Sequence, residues 1–285
     1  MRGRAIGLLG AAGAGLLATA LTAVPGPSEV ANATSPLASH RAVYDLKLLR
    51  TQGKRGLQSV RGRILYDFSG NACEGYVLQF RQVSELDTGE GKVALSDLRA
   101  STWEDGAAKD FRFSSQNYVN DQMANNVDGR AERSSEKVAV GLTKPKQENF
   151  NLEADIVFPT EHMRRIIEAA REGKGMLEFL VYDGSENGEH VYNTLTVIGR
   201  EIPASESSPA DATAGQTALA GLKRWPVTIS YFDRVSARGE QTPVYAISFE
   251  IYENGVSRAL TLDYGDFAVS GEMSKLEMSP SRPCP

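Results

Sequence analysis

From His40 onward, apolar and polar residues alternate. Tyr44, Leu46 and Leu48 share one face of an extended chain, and Asp45 and Lys47 take the other. Val60, Ile64, Tyr66 and Phe68 repeat the pattern around Arg61, Arg63 and Asp67. A period of two places successive side chains on opposite faces, so each run predicts a half-buried antiparallel strand. Gly70 and Asn71 mark a turn beside Cys73, after which Tyr76, Leu78 and Phe80 begin a return strand. Further strands are predicted around 92–103, 109–114, 136–142, 176–182, 190–199, 225–232, 243–252, 256–263 and 267–273. Two turns stand out. Asp105-Gly106 separates the run ending at Trp103 from Phe111 and Phe113. Asn254-Gly255 joins Tyr245, Ile247, Phe249 and Ile251 to Leu260 and Leu262, and Asn-Gly accepts the positive φ values of a type I′ turn. A long hairpin over 243–263 follows.

One segment has a different period. Met163, Ile166, Ile167 and Ala170 follow helical spacing and share one face. Thr160 is the expected N-cap after Pro159, and Gly173 and Gly175 stop the helix. Glu161 can pair with Arg165, and Arg164 with Glu168. Such a helix either plugs an open end of a curled sheet or covers one sheet face, and general frequencies favour the covering role. Residues 201–222 are crowded with Ser, Ala, Pro, Thr and Gly, which predicts an exposed, mobile loop inside the domain. The fold class is therefore all-β, mainly antiparallel, with one or a few short helices.

The chain starts differently. Arg2 and Arg4 precede an Ala-, Gly-, Leu- and Thr-rich run from Ile6 to Leu21, which suits a secretory signal and is short for a membrane span of about 20 strongly apolar residues. Small-x-small patterns end at Ala20 and Ala33. With Pro25 and Pro27 between the run and the first strand, residues 1–33 are expected to be the leader and 34–285 a single β-domain. The alternative is an uncleaved anchor. Removing residues 1–33 takes away two Arg and one Glu, leaving 29 basic and 35 acidic residues and a net charge of −6. This mildly acidic balance offers no electrostatic footprint for nucleic acid. No second apolar run is long enough to cross a bilayer, so the mature protein is expected not to span the membrane. The oligomeric state is not legible.

Export gives the two cysteines a meaning. In an oxidising compartment a lone pair of thiols, Cys73 and Cys284, reads as one disulfide; the alternative is two reduced thiols. The bond would close a loop of about 210 residues, a constraint valued at about 5 kcal/mol in the chain-entropy model. Neither cysteine has a CxxC partner, which argues against redox catalysis.

Motifs for chemistry are sparse. The three histidines, His40, His162 and His190, form no metal-ligand spacing, and the nucleophile elbow, P-loop and dinucleotide fingerprint are missing. Asp183-Gly184-Ser185-Glu186-Asn187-Gly188 copies the start of an EF-hand loop, but position 12 is Thr194 and the flanks are strands. A hairpin turn explains it better. No catalytic, metal or cofactor-binding residue is assigned, and no cofactor is expected. Glu250, Glu253, Asp263 and Asp266 cluster near the long hairpin and are read as solvated, although carboxylate pairs of a glycan hydrolase are not visible from spacing alone. Many aromatics, among them Tyr66, Phe68, Phe80, Trp103, Tyr231, Tyr245 and Phe249, fall on strands. Most belong to a core; in a curled sheet some can line a cavity for an apolar ligand.

Six segments carry a family resemblance. They are His40-Arg41-Ala42-Val43-Tyr44-Asp45-Leu46, Cys73-Glu74-Gly75-Tyr76, Phe158-Pro159-Thr160-Glu161-His162-Met163, Tyr182-Asp183-Gly184-Ser185-Glu186, Trp225-Pro226-Val227 and Tyr252-Glu253-Asn254-Gly255-Val256. In this order, from about residue 38 to 285, the chain resembles the alphaproteobacterial envelope integrity protein B (EipB) family. The resemblance implies a periplasmic β-spiral, an open curled barrel, with a disulfide at Cys73 and Cys284 and a role in keeping the envelope intact under stress. It carries no catalytic residues. The leader and the 201–222 loop match no pattern of the family. The expected function is envelope maintenance without catalysis, by binding a lipid, lipopeptide or peptide. The alternatives are a module that docks other cell-envelope proteins and, third, a cell-wall glycan hydrolase.

Overall fold

The computed structural model describes residues 37–52, 57–89, 91, 93–206, 216–234, 242–280 and 284. The expected leader and its cleavage point, and the middle of the 201–222 segment, lie outside the described residues. The strands are β1 (His40–Thr51), β2 (Ser59–Asn71), β3 (Gly75–Asp87), β4 (Val93–Glu104), β5 (Asp110–Val119), β6 (Gln122–Arg133), β7 (Lys137–Lys144) and β8 (Glu148–Glu153). Helix α1 (Pro159–Arg171) follows, then β9 (Met176–Val181), β10 (Tyr192–Ile198) and a one-turn helix α2 (Gln216–Leu219). The chain ends with β11 (Arg224–Asp233), β12 (Tyr245–Tyr252), β13 (Ser257–Asp263) and β14 (Phe267–Met278). No helix among the described residues is long and apolar enough to cross a membrane.

All the strands lie in one sheet, ordered β8-β7-β6-β5-β4-β3-β2-β1-β14-β13-β12-β11-β10-β9. Every neighbour is antiparallel, and the first and last strands of the chain meet in the middle, with His40 opposite Met278. The two edges, β8 and β9, are consecutive in the chain and joined through α1. A sheet this wide curls rather than staying open and flat. Register shifts help it bend, at Val43/Tyr44 and Leu48/Arg50 in β1, Ser248/Glu250 in β12 and Asp128/Gly129 in β6, because a bulge raises local twist. The curl brings the edges together at one point, where Val157, just past β8, bridges Val181 in parallel.

The inner face carries two apolar cores. In one, Tyr44, Ile64, Phe68, Trp225, Phe249 and Ile251 surround Ile166 and Ile167 of α1. In the other, Phe111, Phe113, Val138 and Leu142 pack with Phe158 and Tyr182. The apolar face of the helix therefore packs on the inner face of the sheet, against strands from both arms of the curl. Only Arg165, Glu168 and Arg171 leave its buried surface for solvent. The outer face carries the polar half of the alternation, where Arg63 bonds Asp45 at 2.8 Å and Arg41 bonds Asp67 at 2.6 Å across strands. Exposed pairs like these stabilise by well under about 1 kcal/mol each and mainly set register.

Several local expectations change. Strands β6 and β8 were not predicted; Met123-Ala124-Asn125-Asn126 alternates too weakly, and in β8 the alternation of Phe150 and Leu152 is confined to a six-residue strand. The true two-residue turn with positive φ at both positions is Asn120-Asp121, at 49° and 61°, between β5 and β6. At Asn254-Gly255 only Gly255 has positive φ, at 89°, and the Gly255 N–H donates to Tyr252 O. This matches a type I turn closed by a G1 bulge, not the type I′ turn expected. Thr160 is not the N-cap: Phe158 holds that position and Pro159 is the first helical residue. The Glu161–Arg165 pair forms at 2.6 Å; the Arg164–Glu168 pair is not among the described ion pairs. In the segment expected to be loop, Ile202 pairs with Arg224 and Leu219 is buried against the larger core.

Cys73 and Cys284 are bonded, with Cα atoms 5.7 Å apart. The turn between β2 and β3 is prepared for this. The Asn71 side-chain oxygen accepts the N–H groups of Cys73 and Glu74, and Trp103 Nε1 donates to Glu74 O at 3.2 Å. Gly106 of the next turn lies directly on it, since a Cβ there would sit 1.7 Å from Ala72 O. Cys73→Ser and Cys284→Ser are each expected to lower unfolding free energy by about 2–5 kcal/mol in oxidising buffer. Denaturant titration checks this, and equal losses in the single and double variants are expected because one bond is involved. Gly106→Ala is expected to cost about 3 kcal/mol by overpacking against the same turn, read from the same titration.

Candidate ligand cavity

The curl leaves space inside. A cavity of about 310 Å³ is walled on one side by Tyr44, Ile64, Tyr66 and Phe80 and on the other by Tyr245, Ile247, Leu260 and Leu262. These walls come from β1–β3 and β12–β13, which β14 separates in the sheet, so only curvature makes them face each other. Inward-facing positions two apart on a strand supply them, as with Ile64 and Tyr66, or Leu260 and Leu262. Met163 closes the end from α1.

A smaller cavity of about 170 Å³ adjoins it, and His40, Tyr66 and Met163 line both. Its other walls include Phe68, His162, Asp183 and Tyr231. His40 stands at the start of β1, with its ring 5.5 Å from Tyr66 in a stacked arrangement. Its Nδ1 lies 2.7 Å from Ala38 O; a carbonyl only accepts, so Nδ1 carries the proton and Nε2 is left as an acceptor. Burial lowers the pKa of His40. Burial, with Arg165 second, pushes His162 down to about 4, so it too is neutral at pH 7. Burial raises Tyr66 to about 12 and raises the half-buried Asp183 carboxyl above its ordinary value. Tyr231 stacks on Tyr245 at 4.2 Å, both edge-on to Tyr192, and burial raises all three phenols.

The helix that carries His162 and Met163 is aimed by Glu104, the last residue of β4, only 1 % exposed. Its two carboxylate oxygens accept the N–H groups of Thr160 and Glu161, each at 2.8 Å. A strand carboxylate thus does the work of an N-cap side chain, which Phe158 cannot do. Arg133 holds the same end from another strand by bonding Glu161 at 3.0 Å and the Ile156 carbonyl.

The sequence candidates are dispersed. His40 and His162, 122 positions apart in the numbering, meet at one cavity, whereas His190 lies against Tyr192 with ring centroids 4.3 Å apart. Among the described residues no group of three or more His, Cys, Asp or Glu is placed to hold a metal. Residues 183–188 form the β9–β10 connection, with positive φ at Gly184, Glu186 and Gly188. Glu250 bonds Arg224 at 2.8 Å, Asp263 bonds Arg50, and Glu253 accepts from Lys223 N. Trp103 lies outside, under Arg112, rather than in a cavity. Sequence reasoning missed Asp183 as a cavity residue and Glu104 altogether, for no local signal distinguishes them from other turn or strand-end acids.

This architecture is shared. The family model described as EipB-like matches residues 31–280. The chain belongs to the EipB-like family. It is 37% identical over 242 residues to the cell envelope integrity protein EipB of Brucella abortus, covering 85% of this chain and 84% of that protein. Its fold is similar to the crystal structure of a β-barrel-like protein of a domain of unknown function from Brucella abortus, with a TM-score of 0.78 and 35% identity over 86% of this EipB-like chain and 99% of that one.

Glu104 gives a pH dependence. Burial, set against its two backbone hydrogen bonds, raises its pKa from 4.5 to about 7. The folded protein therefore holds an extra proton between those values, and stability from this group falls as pH rises through that window, by on the order of 3 kcal/mol. Glu104→Gln is expected to flatten the stability profile between pH 5 and 8 relative to the parent, measured by denaturant unfolding at each pH.

Proposed function

We propose that this protein maintains the cell envelope as a non-catalytic periplasmic carrier that holds an apolar molecule, a lipid, lipopeptide or peptide, inside its curled sheet. The observation that carries the reading is the cavity of about 310 Å³ with aromatic and aliphatic walls from both arms of the curl. A concave, mainly apolar space with few polar groups is the usual form of a small-molecule site. The name of the Brucella relative, a cell envelope integrity protein, supports the cellular role, and the leader-like pattern of residues 1–33 supports the periplasm. Hydrolysis of glycan has less in its favour, since the described side chains lining the two cavities include one carboxylate, Asp183, rather than a facing pair.

Docking of other envelope proteins is the second reading, favoured by the sheet edges β8 and β9, between which the described residues form no backbone ladder beyond the Val157–Val181 bridge. Native mass spectrometry of gently purified protein separates the two. A carrier is expected to retain a small species, lost in Ile247→Trp, which fills the cavity, with the melting temperature of that variant showing that it folds. Protein free of any such species, combined with a constant protein partner in cellular crosslinks, favours docking.

A further inference from the structure

The larger cavity defines a ligand's body, and the smaller one defines its head. Two imidazoles line the smaller cavity, His40 at 2 % and His162 at 4 % exposure, and each leaves Nε2 without a hydrogen-bond partner among the described residues. Both of these nitrogens are closed off from water-sized space, so the groups that face the cavity itself set its chemistry. For His40 the tautomer is settled by Ala38 O, and its free nitrogen accepts. Asp183 adds a carboxylate, with one oxygen accepting Ser185 N at 2.9 Å and acceptor capacity to spare. No Lys or Arg lines either cavity among the described residues. The N-terminus of α1, which would otherwise draw an anion, already has Thr160 N and Glu161 N bonded to Glu104. Tyr66, Phe68 and Tyr231 add aromatic faces, which attract cations.

We infer that the smaller cavity selects a primary ammonium head on an apolar body, held by the Asp183 carboxylate beside the aromatic faces of Tyr66, Phe68 and Tyr231. The inference rests on the carrier function proposed above and names the class of cargo. An acidic or phosphate head would meet the like charge of Asp183 and no Lys or Arg among the described lining residues, only neutral donors such as Thr102 and Asn254.

Calorimetric titration of the oxidised protein with decylammonium, decanol and decanoate, below micelle-forming concentrations, tests this at neutral pH. Decylammonium is expected to bind at least about tenfold more tightly than decanol, with decanoate weakest, as a partly buried ion pair and its reversal require. Asp183→Asn, which keeps the acceptor for Ser185 N, is expected to abolish the preference for the amine while leaving decanol binding and the melting temperature in place. Equal binding of the three probes, or tighter decanoate, overturns the head-group assignment and leaves the carrier function standing. No binding of any probe overturns both. Leu-Leu-Phe amide with a free amino terminus, compared with its N-acetylated form, separates the sources. Tighter binding of the free peptide than of decylammonium identifies a peptide amine, and the reverse identifies an aminolipid.

Discussion

Strand β1 pairs with β14 along almost its whole length, from His40 opposite Met278 to Thr51 opposite Phe267. Without that ladder the sheet is two separate arms, β1 to β8 and β9 to β14, each with an open edge. The pairing joins residues more than 200 positions apart, so it carries a large loop-closure cost before any contact compensates. The Cys73–Cys284 bond acts on that cost. It ties the turn after β2 to the residue just beyond β14, next to the ladder it protects. The stapled turn is in turn braced by Asn71, Trp103 and Gly106, whose roles would be obscure without the bond.

Once the arms are joined, curvature decides the interior. The inner face of a sheet of this width has more apolar surface than one short helix can cover. Helix α1 fills part of it with Ile166 and Ile167, and the rest encloses space rather than collapsing. Two features resist collapse. Large rings such as Tyr44, Tyr66, Tyr245 and Phe249 stand on a hydrogen-bonded ladder that cannot shift locally, and Glu104 with Arg133 sets the depth of the helix from outside the larger core. The cost of keeping Glu104 buried is the destabilisation seen in its raised pKa, a sign that helix position matters more here than maximal stability.

The polar groups lining the interior are neutral donors and acceptors with one carboxyl, Asp183, and no Lys or Arg among the described residues. On the carrier function proposed above, selectivity comes from which head group can be paired inside, because an unpaired buried polar group is costly.

Much of this was legible in the chain. Alternation in 40–48, 60–68 and 243–263 predicted the strands and their wet faces, and the helical period found α1, because each is a property of neighbours in sequence. The expectation of export, with two cysteines in the chain, made a single bond between Cys73 and Cys284 the simplest pairing, and the six quoted segments identified the family. Strand β6 escaped because its first half alternates weakly, and β8 because its two alternating apolar residues, Phe150 and Leu152, make too short a run. The turn type at Asn254-Gly255 and the capping of α1 by Glu104 instead of Thr160 depended on partners distant in the chain. Above all, the meeting of His40, His162 and Asp183 at one cavity wall was decided only by the curl. Local pattern determines which face of a strand is buried; what that face then looks across at is set by how far the whole sheet bends.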